Sequence, residues 1–450
     1  MPKPADMTKT FRSLGQTFHI HTFGCQMNEN DSEYIAGLLA GLGLVGSPSP
    51  ENADILIINT CSVREKSEEK LFSLLGRFVR IKKERRALLG VVGCSAQLHR
   101  AQLLARVPEV DFIVGPDNYH RLAEIVIESL EDHCLALSRS ADWNEPVPRC
   151  FLRENSVSAF VTIMEGCDNF CTYCVVPFTR GREKFRPARN ILAEVEGLVG
   201  AGYKEVQLLG QNVNSYRDPD SGDDFSALLK RVARVPEVGW VRFITSHPRC
   251  FSRDMARTMA SLPRVCHQLH LPIQTGATSV LQRMNRGYTR EEYLGLAAFL
   301  RELMPDICLS TDIIVGFPSE TEDEFRETLI ALESVRFTNI FSFRYSPRPL
   351  TAAAKLPDDV PPAVKKRRLM EVQDLQKRIQ TEGHSRLVGR VQKVLCLGES
   401  KRPPRVFSGR NEGSQVVNFS APAGLECIGR FVDIRITGYG PYSLRGEYQG

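Results

Sequence analysis

Short apolar runs alternate with amphipathic stretches along the first 130 residues of the chain. An apolar run of about four to eight residues predicts a buried strand, whereas apolar positions three or four apart predict a helix that faces a core. Strands that alternate with helices form a parallel sheet covered on both faces, so we predict a doubly wound parallel α/β domain. The predicted strands cover 18–23, 55–60, 88–93 and 111–115, and the predicted helices cover 31–43, 62–86, 96–107 and 119–131.

The middle of the chain repeats the order of strand and helix six times. Six units are too few for the closed eight-stranded barrel, so we predict a partial (β/α)6 barrel. In such barrels the chemistry lies in the loops that follow the strands. The six predicted strands cover 158–164, 205–209, 240–245, 268–273, 307–315 and 338–345.

The pattern changes again after a predicted helix at 362–382. From there on, short apolar runs are separated by Gly and Pro, which is typical of a small β-barrel. Residues 142–150 lack any period and indicate a linker. The predicted segments are an amino-terminal α/β domain at 16–132, a linker at 133–152, a barrel core at 153–383 and a small β-barrel at 384–449.

Cys167, Cys171 and Cys174 follow the first strand of the predicted barrel with the spacing C-x3-C-x2-C. Iron–sulfur clusters are held by cysteine thiolates, and three thiolates at this spacing can hold three corners of a 4Fe–4S cluster. Because no fourth cysteine follows at similar spacing, one iron would stay open to a substrate or cofactor. Half a zinc site and three unrelated core cysteines are the alternatives.

Cys25, Cys61 and Cys94 each come one or two residues after a predicted strand of the amino-terminal domain. Ligands of open α/β sheets gather beyond the carboxyl ends of the strands, so residues that are 36 and 33 positions apart can meet there. One cysteine at a strand end is more often part of the core. Three in the same topological position predict a second three-cysteine cluster.

The composition indicates neither export nor a membrane span. The segment 1–15 has no apolar stretch of the kind found in signal peptides, and no run of 18 apolar residues occurs. Thirteen cysteines in a chain without an export signal favour metal binding or catalysis over disulfides. We therefore expect a cytoplasmic protein.

Charge is concentrated in two stretches of a chain whose net charge is only +5. Residues 361–410 hold thirteen Lys or Arg against four Asp or Glu, a pattern that suits binding to a phosphate backbone. A solvated helix face at 365–368 is the alternative. A second basic cluster follows the cysteines of the barrel and could position a nucleic acid near them; its members are Arg180, Arg182, Lys184 and Arg186.

Three stretches carry a resemblance to a known family: His21–Asn28, Glu165–Pro177 and His270–Gly276. They resemble the methylthiotransferases of the radical S-adenosylmethionine superfamily. The resemblance extends from about residue 16 to 449 and follows the family's order of an α/β domain, a radical core and an RNA-binding TRAM domain. Gln26-Met27-Asn28 and the stretch 209–216 are most similar to the branch that acts on N6-isopentenyladenosine at position 37 of tRNA.

The resemblance implies two 4Fe–4S clusters and S-adenosylmethionine as cofactors. Cys167, Cys171 and Cys174 would hold the cluster that cleaves S-adenosylmethionine to a radical, which removes hydrogen from C2 of the adenine. Cys25, Cys61 and Cys94 would hold an auxiliary cluster that supplies sulfur, and a second S-adenosylmethionine would supply the methyl group. Residues at the ends of barrel strands would line the S-adenosylmethionine pocket; they are Tyr173, Gly210, Gln274 and Gly316. The alternative is that the glycines at these strand ends only allow the chain to turn.

The implied partners are a tRNA anticodon loop that carries isopentenyladenosine and an electron donor such as flavodoxin or ferredoxin. We expect a monomer that does not bind membranes. The same chemistry on threonylcarbamoyladenosine of tRNA or on an aspartate of a ribosomal protein is the nearest alternative. A non-catalytic iron–sulfur protein that binds RNA and senses redox state is the distant one.

The chain departs from the family pattern at Phe185 and Tyr439, where small residues are more common, and in two loops. Ser319 stands where the family more often has glycine, and Leu350 and Ala352 stand in a stretch that usually reads Gly-Thr-Pro. None of these departures involves a cysteine, so they bear on the shape of loops rather than on the reaction.

Overall fold

The computed structural model describes residues 17–62, 65–129, 133–137, 151–153, 155–400, 406–422 and 424–449. They form two compact units. The first contains the described part of Met1–Glu154, Met164–Asp168 and Cys174–Arg186, and the second contains Asn155–Ile163, Asn169–Tyr173 and the described part of Pro187–Gly450. Of the predicted linker 133–152, residues 138–150 lie outside the described residues, whereas Cys134–Ala136 form an edge strand of the first unit's sheet. The predicted domain limits stay a prediction.

The first unit is built on a six-stranded parallel sheet with the strand order β2-β1-β3-β4-β5-β6. The four predicted strands are confirmed. The two edge strands were not predicted, because two or three residues are too few to show a period. The strands are β1 (Thr17–Thr22), β2 (Val45–Gly46), β3 (Ile55–Thr60), β4 (Leu88–Gly93), β5 (Phe112–Val114) and β6 (Cys134–Ala136).

The sheet of the first unit has a separate hydrophobic core on each face. Ile55 and Ile57 of β3 pack into one core, and Leu56 and Ile58 pack into the other. A strand buried on both faces reads as one continuous apolar run, which is why β3 could be predicted. The helices that cover the sheet are α1 (Gln26–Gly41), α2 (Glu65–Arg85), α3 (Cys94–Arg106) and α4 (Leu122–Glu128), with 3-10 turns at Pro50–Asn52 and Pro116–Arg121.

The first unit also contains a short antiparallel hairpin that follows the first barrel strand in sequence. Strand β8 (Met164–Glu165) pairs with β9 (Lys184–Phe185), and helix α5 (Val176–Thr179) lies between them. Both strands have only two residues, so no pattern in the sequence predicted them.

The second unit contains the partial barrel, as two three-stranded parallel sheets ordered β7-β10-β11 and β12-β13-β14. A parallel bridge between Val241 and Val265 continues the arrangement beyond β11. All six predicted strands are confirmed. They are β7 (Ser158–Thr162), β10 (Glu205–Leu209), β11 (Trp240–Phe243), β12 (Gln268–His270), β13 (Cys308–Val315) and β14 (Asn339–Arg344).

Helices follow the barrel strands, and a long helix leads from the barrel toward the end of the chain. Two of the helices begin with a capping box, at Thr289 and Thr321, in which the Thr and a Glu three residues later bond each other's backbone amides. The helices are α6 (Ala188–Gly200), α7 (Phe225–Ala233), α8 (Arg253–Ser261), α9 (Thr278–Arg283), α10 (Arg290–Leu303), α11 (Glu322–Val335) and α12 (Pro362–Ser385), with 3-10 turns at Val213–Ser215, Pro248–Cys250 and Ala352–Lys355.

A closed five-stranded barrel with the strand order β15-β16-β17-β19-β18 ends the second unit. The predicted small β-barrel is therefore confirmed. Strands β16 and β19 were not predicted, because Gly409 and Gly446 interrupt their short patterns. The strands are β15 (Val391–Glu399), β16 (Val406–Asn411), β17 (Val416–Ser420), β18 (Phe431–Tyr439) and β19 (Leu444–Tyr448).

A buried ion pair connects this barrel to the parallel strands. Arg242 of β11 is 1% exposed and donates from Nε to Glu205 Oε2 of β10 at 2.6 Å. Its two terminal nitrogens donate to the backbone oxygens of Asn411 at 2.8 Å and Glu412 at 2.5 Å, at the turn after β16. One guanidinium therefore binds both parts of the second unit.

The two loop departures from the family pattern lie at positions whose backbone conformation favours glycine. Ser319 has φ +60° and Leu350 has φ +69°, both in the left-handed region that side chains with a Cβ avoid. Ser319 offsets the strain with bonds from its amide and hydroxyl to the Asp359 carboxylate. The Leu350 side chain is 64% exposed and therefore gains little from packing.

Replacing Leu350 with Gly should raise the free energy of unfolding by about 1 kcal/mol, because glycine relieves the left-handed strain at little cost in packing. Urea denaturation measures the change. Leu356 is the matched control, since it is also exposed but has φ −83°. The same replacement there should lower the stability, and equal effects at the two positions would contradict the assignment of strain.

Candidate iron–sulfur sites

The three cysteines of the amino-terminal domain follow three neighbouring strands. Cys25 precedes α1 after β1, Cys61 follows β3 directly, and Cys94 is the first residue of α3 after β4. The order β1-β3-β4 places these strand ends side by side along one edge of the sheet. This is the edge at which ligands of such sheets bind.

Backbone geometry holds the loop of Cys94 close to the loop of Cys61. Gly93 has φ +98°, and a Cβ there would lie 2.4 Å from the backbone oxygen of Thr60. The Ser95 hydroxyl donates to the backbone oxygen of Cys61 at 2.8 Å. A larger residue at 93 would therefore separate the two strand ends that carry these cysteines.

Buried amides fix the loop of Cys25 in the same way. Asn28 is 0% exposed and donates to Asn59 Oδ1 and to the backbone oxygen of Thr60, both at 3.1 Å. Asn59 in turn donates to the backbone oxygen of Asn28 at 2.8 Å. These reciprocal bonds join the first turn of α1 to the end of β3. They were missed in the sequence, where the apolar period of the helix begins only after residue 31.

The environment prepares Cys25 to act as a thiolate. A hydrogen bond with the Cys61 thiol lowers the pKa of Cys25 to about 5, and nearby Arg180 and the amides of Met27 and Asn28 act in the same direction against burial. Thiolates are the form of cysteine that binds metals. In contrast, burial raises the pKa of Cys94, although Arg180 opposes this.

A buried group of charges lies beside these cysteines in the first unit. Arg180 binds Asp31 at 2.5 Å and lies 3.9 Å from Glu165, while Lys184 binds Asp117 and lies 3.9 Å from Glu165. All five side chains are at most 9% exposed. Burial raises the pKa of Asp31 to about 6 against the pull of Arg180, so the acid is ionised and paired at neutral pH.

The second basic cluster predicted from the sequence is therefore largely wrong as a nucleic-acid contact. Arg180, Lys184 and Arg186 are buried, at 2–6% exposure, and cannot reach a phosphate backbone. Arg182 alone of the four is open to solvent, with a side chain that is 68% exposed. Long charged side chains are rarely buried unless they are paired, so sequence alone gives no signal for this arrangement.

The basic cluster at 365–368 also differs from both readings of the sequence. Lys365 binds Asp358 and Arg368 binds Glu320 at 2.8 Å, and both basic side chains are buried. Only the other two residues of the cluster face solvent. The cluster is therefore neither a fully solvated helix face nor a continuous phosphate-binding surface.

The segment of the C-x3-C-x2-C motif contributes to both units: Cys167 and Cys174 lie in the first and Cys171 in the second. In the first unit, Gly166 has φ +80°, and a Cβ there would lie 1.9 Å from the backbone oxygen of Arg182. The amide of Cys167 donates to the backbone oxygen of Gly181 at 3.2 Å. Only glycine fits before Cys167, because the backbone of Gly181 and Arg182, just before β9, passes directly against it.

Cys171 lies in a buried polar pocket of the second unit. Arg286 Nη1 donates to Cys171 Sγ at 3.2 Å, and His247 Nε2 lies 4.0 Å from the same sulfur. Burial, together with Arg286 and Arg249, lowers the pKa of His247 to about 2, so the ring is neutral at working pH. Neither Arg286 nor His247 was singled out in the sequence, because neither belongs to a recognisable spacing motif.

The four residues predicted to line a cofactor pocket all lie in the second unit. The Tyr173 hydroxyl lies 3.3 Å from Arg286 Nη1, and its ring packs near Phe317. Gln274, with φ +72°, forms a parallel β-bridge with β13, and its backbone N–H donates to the Asp312 backbone oxygen at 2.9 Å.

Gly210 and Gly316 follow β10 and β13 and are buried. The amide of Gly316 donates to the Glu320 carboxylate at 2.6 Å, and a Cβ there would lie 2.4 Å from Lys365 Cγ. The close approach at Gly316 therefore involves a lysine stem of α12. The role of all four residues in a cofactor pocket stays a prediction.

The donor sets fit iron–sulfur clusters. Each set has three cysteines, and none of the cysteines in the described residues forms a disulfide. The described residues contain no group of three or more His, Cys, Asp or Glu placed to hold a single metal ion. A 4Fe–4S cluster does not require such convergence, because each thiolate binds a different iron.

In the described part of the chain, no helix is long and apolar enough to cross a membrane.

Comparison with known families divides the chain into three parts. Residues 17–115 match the family described as Uncharacterized protein family UPF0004, residues 161–332 match the Radical SAM superfamily, and residues 385–448 match the TRAM domain. The partial barrel with its cysteine motif, combined with these flanking domains, defines a radical S-adenosylmethionine enzyme.

Full-length relatives specify the family. Proteins named tRNA-2-methylthio-N(6)-dimethylallyladenosine synthase are 47% identical in Geobacter metallireducens, over 95% of this chain and 97% of theirs, and 42% identical in Solibacter usitatus, over 96% and 98%. The chain belongs to this family of radical S-adenosylmethionine methylthiotransferases. Its cofactors are S-adenosylmethionine and 4Fe–4S clusters.

Solved structures share the fold at low identity. The radical S-adenosylmethionine methyltransferase TsrM from Kitasatospora setae, with tryptophan and a SAM analog bound, has a TM-score of 0.56 and 13% identity over 84% of this chain and 78% of that chain. The cobalamin-dependent radical enzyme OxsB has a TM-score of 0.52 and 11% identity over 82% of this chain and 57% of that chain.

Proposed function

We propose that this chain methylthiolates C2 of N6-isopentenyladenosine at position 37 of tRNA, with one 4Fe–4S cluster on Cys167, Cys171 and Cys174. A second, auxiliary cluster is held by the cysteines that follow β1, β3 and β4. The observation that carries the proposal is the position of those three cysteines, on one edge of the sheet in a chain that also has the radical motif. Relatives named for this reaction extend over nearly the whole chain.

The clusters and S-adenosylmethionine, when bound, supply the electron, the radical and the sulfur, which no side chain can provide. The chain's own residues shape the place where this happens. Cys25 is a thiolate at neutral pH, because the Cys61 thiol donates to it, so it is ready to bind iron without first losing a proton. The buried amides of Asn28 and Asn59 keep its loop in place.

The proposed S-adenosylmethionine pocket lies at the carboxyl ends of the barrel strands, with Tyr173, Gly210, Gln274 and Gly316 along it. Active sites of parallel barrels lie at this end. The positive φ of Gln274 turns the chain sharply after β12, and the backbone N–H of Gln274 is already bonded within the barrel. Its side chain is therefore the part that is left for a ligand.

The proposed partners are a tRNA anticodon loop and a low-potential electron donor such as flavodoxin or ferredoxin. Proteins read single-stranded loops by stacking and hydrogen bonds to unpaired bases, and the TRAM match supports an RNA substrate. A monomer in the cytoplasm is proposed as the working form.

Iron content tests the two-cluster assignment. Anaerobically reconstituted parent protein should hold about eight irons, and a Cys25→Ala, Cys61→Ala, Cys94→Ala variant about four, because each site holds one four-iron cluster. The control replaces three cysteines that belong to neither set and are partly exposed, Cys134, Cys250 and Cys308. It should keep the parent's iron. Four irons in both the parent and the first variant would show that the amino-terminal cysteines hold no cluster.

Nucleoside analysis of tRNA tests the substrate. The parent should convert isopentenyladenosine to its 2-methylthio derivative, and the variant that lacks the three amino-terminal cysteines should not, because it has no sulfur source. Methylthio product found only on threonylcarbamoyladenosine or on a ribosomal protein would contradict the proposed substrate.

A further inference from the structure

Arg286 makes an unusual set of contacts in the second unit. Its side chain is buried, and its Nη1 donates to Cys171 Sγ at 3.2 Å and to the Tyr173 hydroxyl at 3.3 Å. Nε donates to the Tyr288 hydroxyl at 3.0 Å, and Nη2 donates to the backbone oxygen of Pro272 at 2.8 Å. One side chain therefore joins the cysteine loop to the loop that follows β12.

Arg286 differs from the other buried arginines of this unit in its partners. Arg242 binds the Glu205 carboxylate and Arg368 binds the Glu320 carboxylate. The groups that offset the burial of Arg286 are two phenols and the Cys171 thiol. A buried cation without a carboxylate costs several kcal/mol unless some other negative group faces it. The thiol is the group in this set that becomes anionic when it binds iron.

We propose that Arg286 is a positioning residue for the radical cluster, which it holds by a charged hydrogen bond to the ligand sulfur of Cys171. This inference rests on the proposed function, in which Cys171 is a ligand. One-electron reduction adds a negative charge to the cluster, and a cation that donates to a ligand sulfur stabilises that charge. Hydrogen bonds to sulfurs are among the factors that set cluster potentials.

The same contacts connect the cluster to the proposed cofactor pocket. Tyr288 donates to the backbone oxygens of Pro272 and Ile273, and Arg286 also binds Pro272, so the residues just before Gln274 are held from the same side. Loss of Arg286 should therefore loosen S-adenosylmethionine binding as well as lower the potential of the cluster.

The test uses the full-length chain with Cys25, Cys61 and Cys94 replaced by Ala, so that only the radical cluster is present. Redox titration with dithionite as the electron donor, followed by electron paramagnetic resonance, measures the midpoint potential. Arg286→Met and Arg286→Gln should lower it, because the charge is lost, and Arg286→Lys should shift it less. Arg283→Met is the matched control, since Arg283 binds Glu324 and not a cysteine; it should leave the potential unchanged.

An unchanged potential in Arg286→Gln, with full iron content, would overturn the proposal. If Arg286→Met fails to fold, the comparison of the Lys and Gln variants decides, because they differ in charge. No iron in the triple-alanine parent would instead overturn the assignment of Cys167, Cys171 and Cys174, and this inference with it.

Discussion

Replacing Arg180 with Met will lower the free energy of unfolding of the first unit by about 3–5 kcal/mol, the effect of breaking a buried ion pair from one side. Arg180 lies between Asp31 and Glu165 with a side chain that is 3% exposed, so Asp31 would lose its cation and Glu165 one of its two, and neither would gain water. Urea denaturation followed by circular dichroism measures the loss.

Arg182 is the matched control, two residues further along the chain. Its side chain is 68% exposed and binds Asp168 at the surface, so the same replacement should change the stability by less than about 1 kcal/mol. Adding Asp31→Leu to the Arg180 variant should recover part of the loss, because the stranded charge is removed. Equal effects at 180 and 182 would show that the burial of Arg180 does not matter.

Replacing Arg242 with Met will destabilise the second unit by about 3–5 kcal/mol, again because it strands a buried carboxylate, here that of Glu205. The change also removes the donors to the backbone oxygens of Asn411 and Glu412. The closed barrel should therefore become more sensitive to proteolysis. Thermal unfolding and the time course of limited proteolysis measure the two effects.

Arg435 provides the comparison, because it is exposed on β18 and binds Gln449 and the backbone oxygen of Gly389. Met at that position should change the melting temperature little. A double variant, Arg242→Met with Glu205→Leu, should be more stable than Arg242→Met alone. If it is equally unstable, the loss comes from the contacts to Asn411 and Glu412 rather than from the stranded charge.

The clearest strands of both parallel sheets could be predicted because they are buried on both faces. Ile55–Thr60 and Glu205–Leu209 are buried at every position, so each reads as an unbroken run bounded by loops. The position of the cysteines followed from the same fact, since a parallel sheet collects its strand ends at one edge. The order of the strands then placed Cys25, Cys61 and Cys94 side by side.

The buried charges could not be predicted, because the energy that keeps them inside comes from partners far away in sequence. Arg180 and Asp31 are 149 residues apart, and Arg368 and Glu320 are 48 apart. A pattern of charge along the chain indicates solvent or phosphate, and it carries no information about a distant counter-ion. Arg286 was missed for the same reason, because its partner Cys171 is distant in sequence and is a thiol rather than a carboxylate.

The hairpin β8–β9 has a consequence for how such enzymes can be recombined. In sequence it belongs to the barrel core, yet Arg180 and Lys184 are neutralised by Asp31 and Asp117 of the amino-terminal domain. A crossover near residue 153 would separate two buried cations from their counter-ions. The hairpin and the amino-terminal domain should therefore be inherited together, and a chimera of two family members should be joined after residue 187.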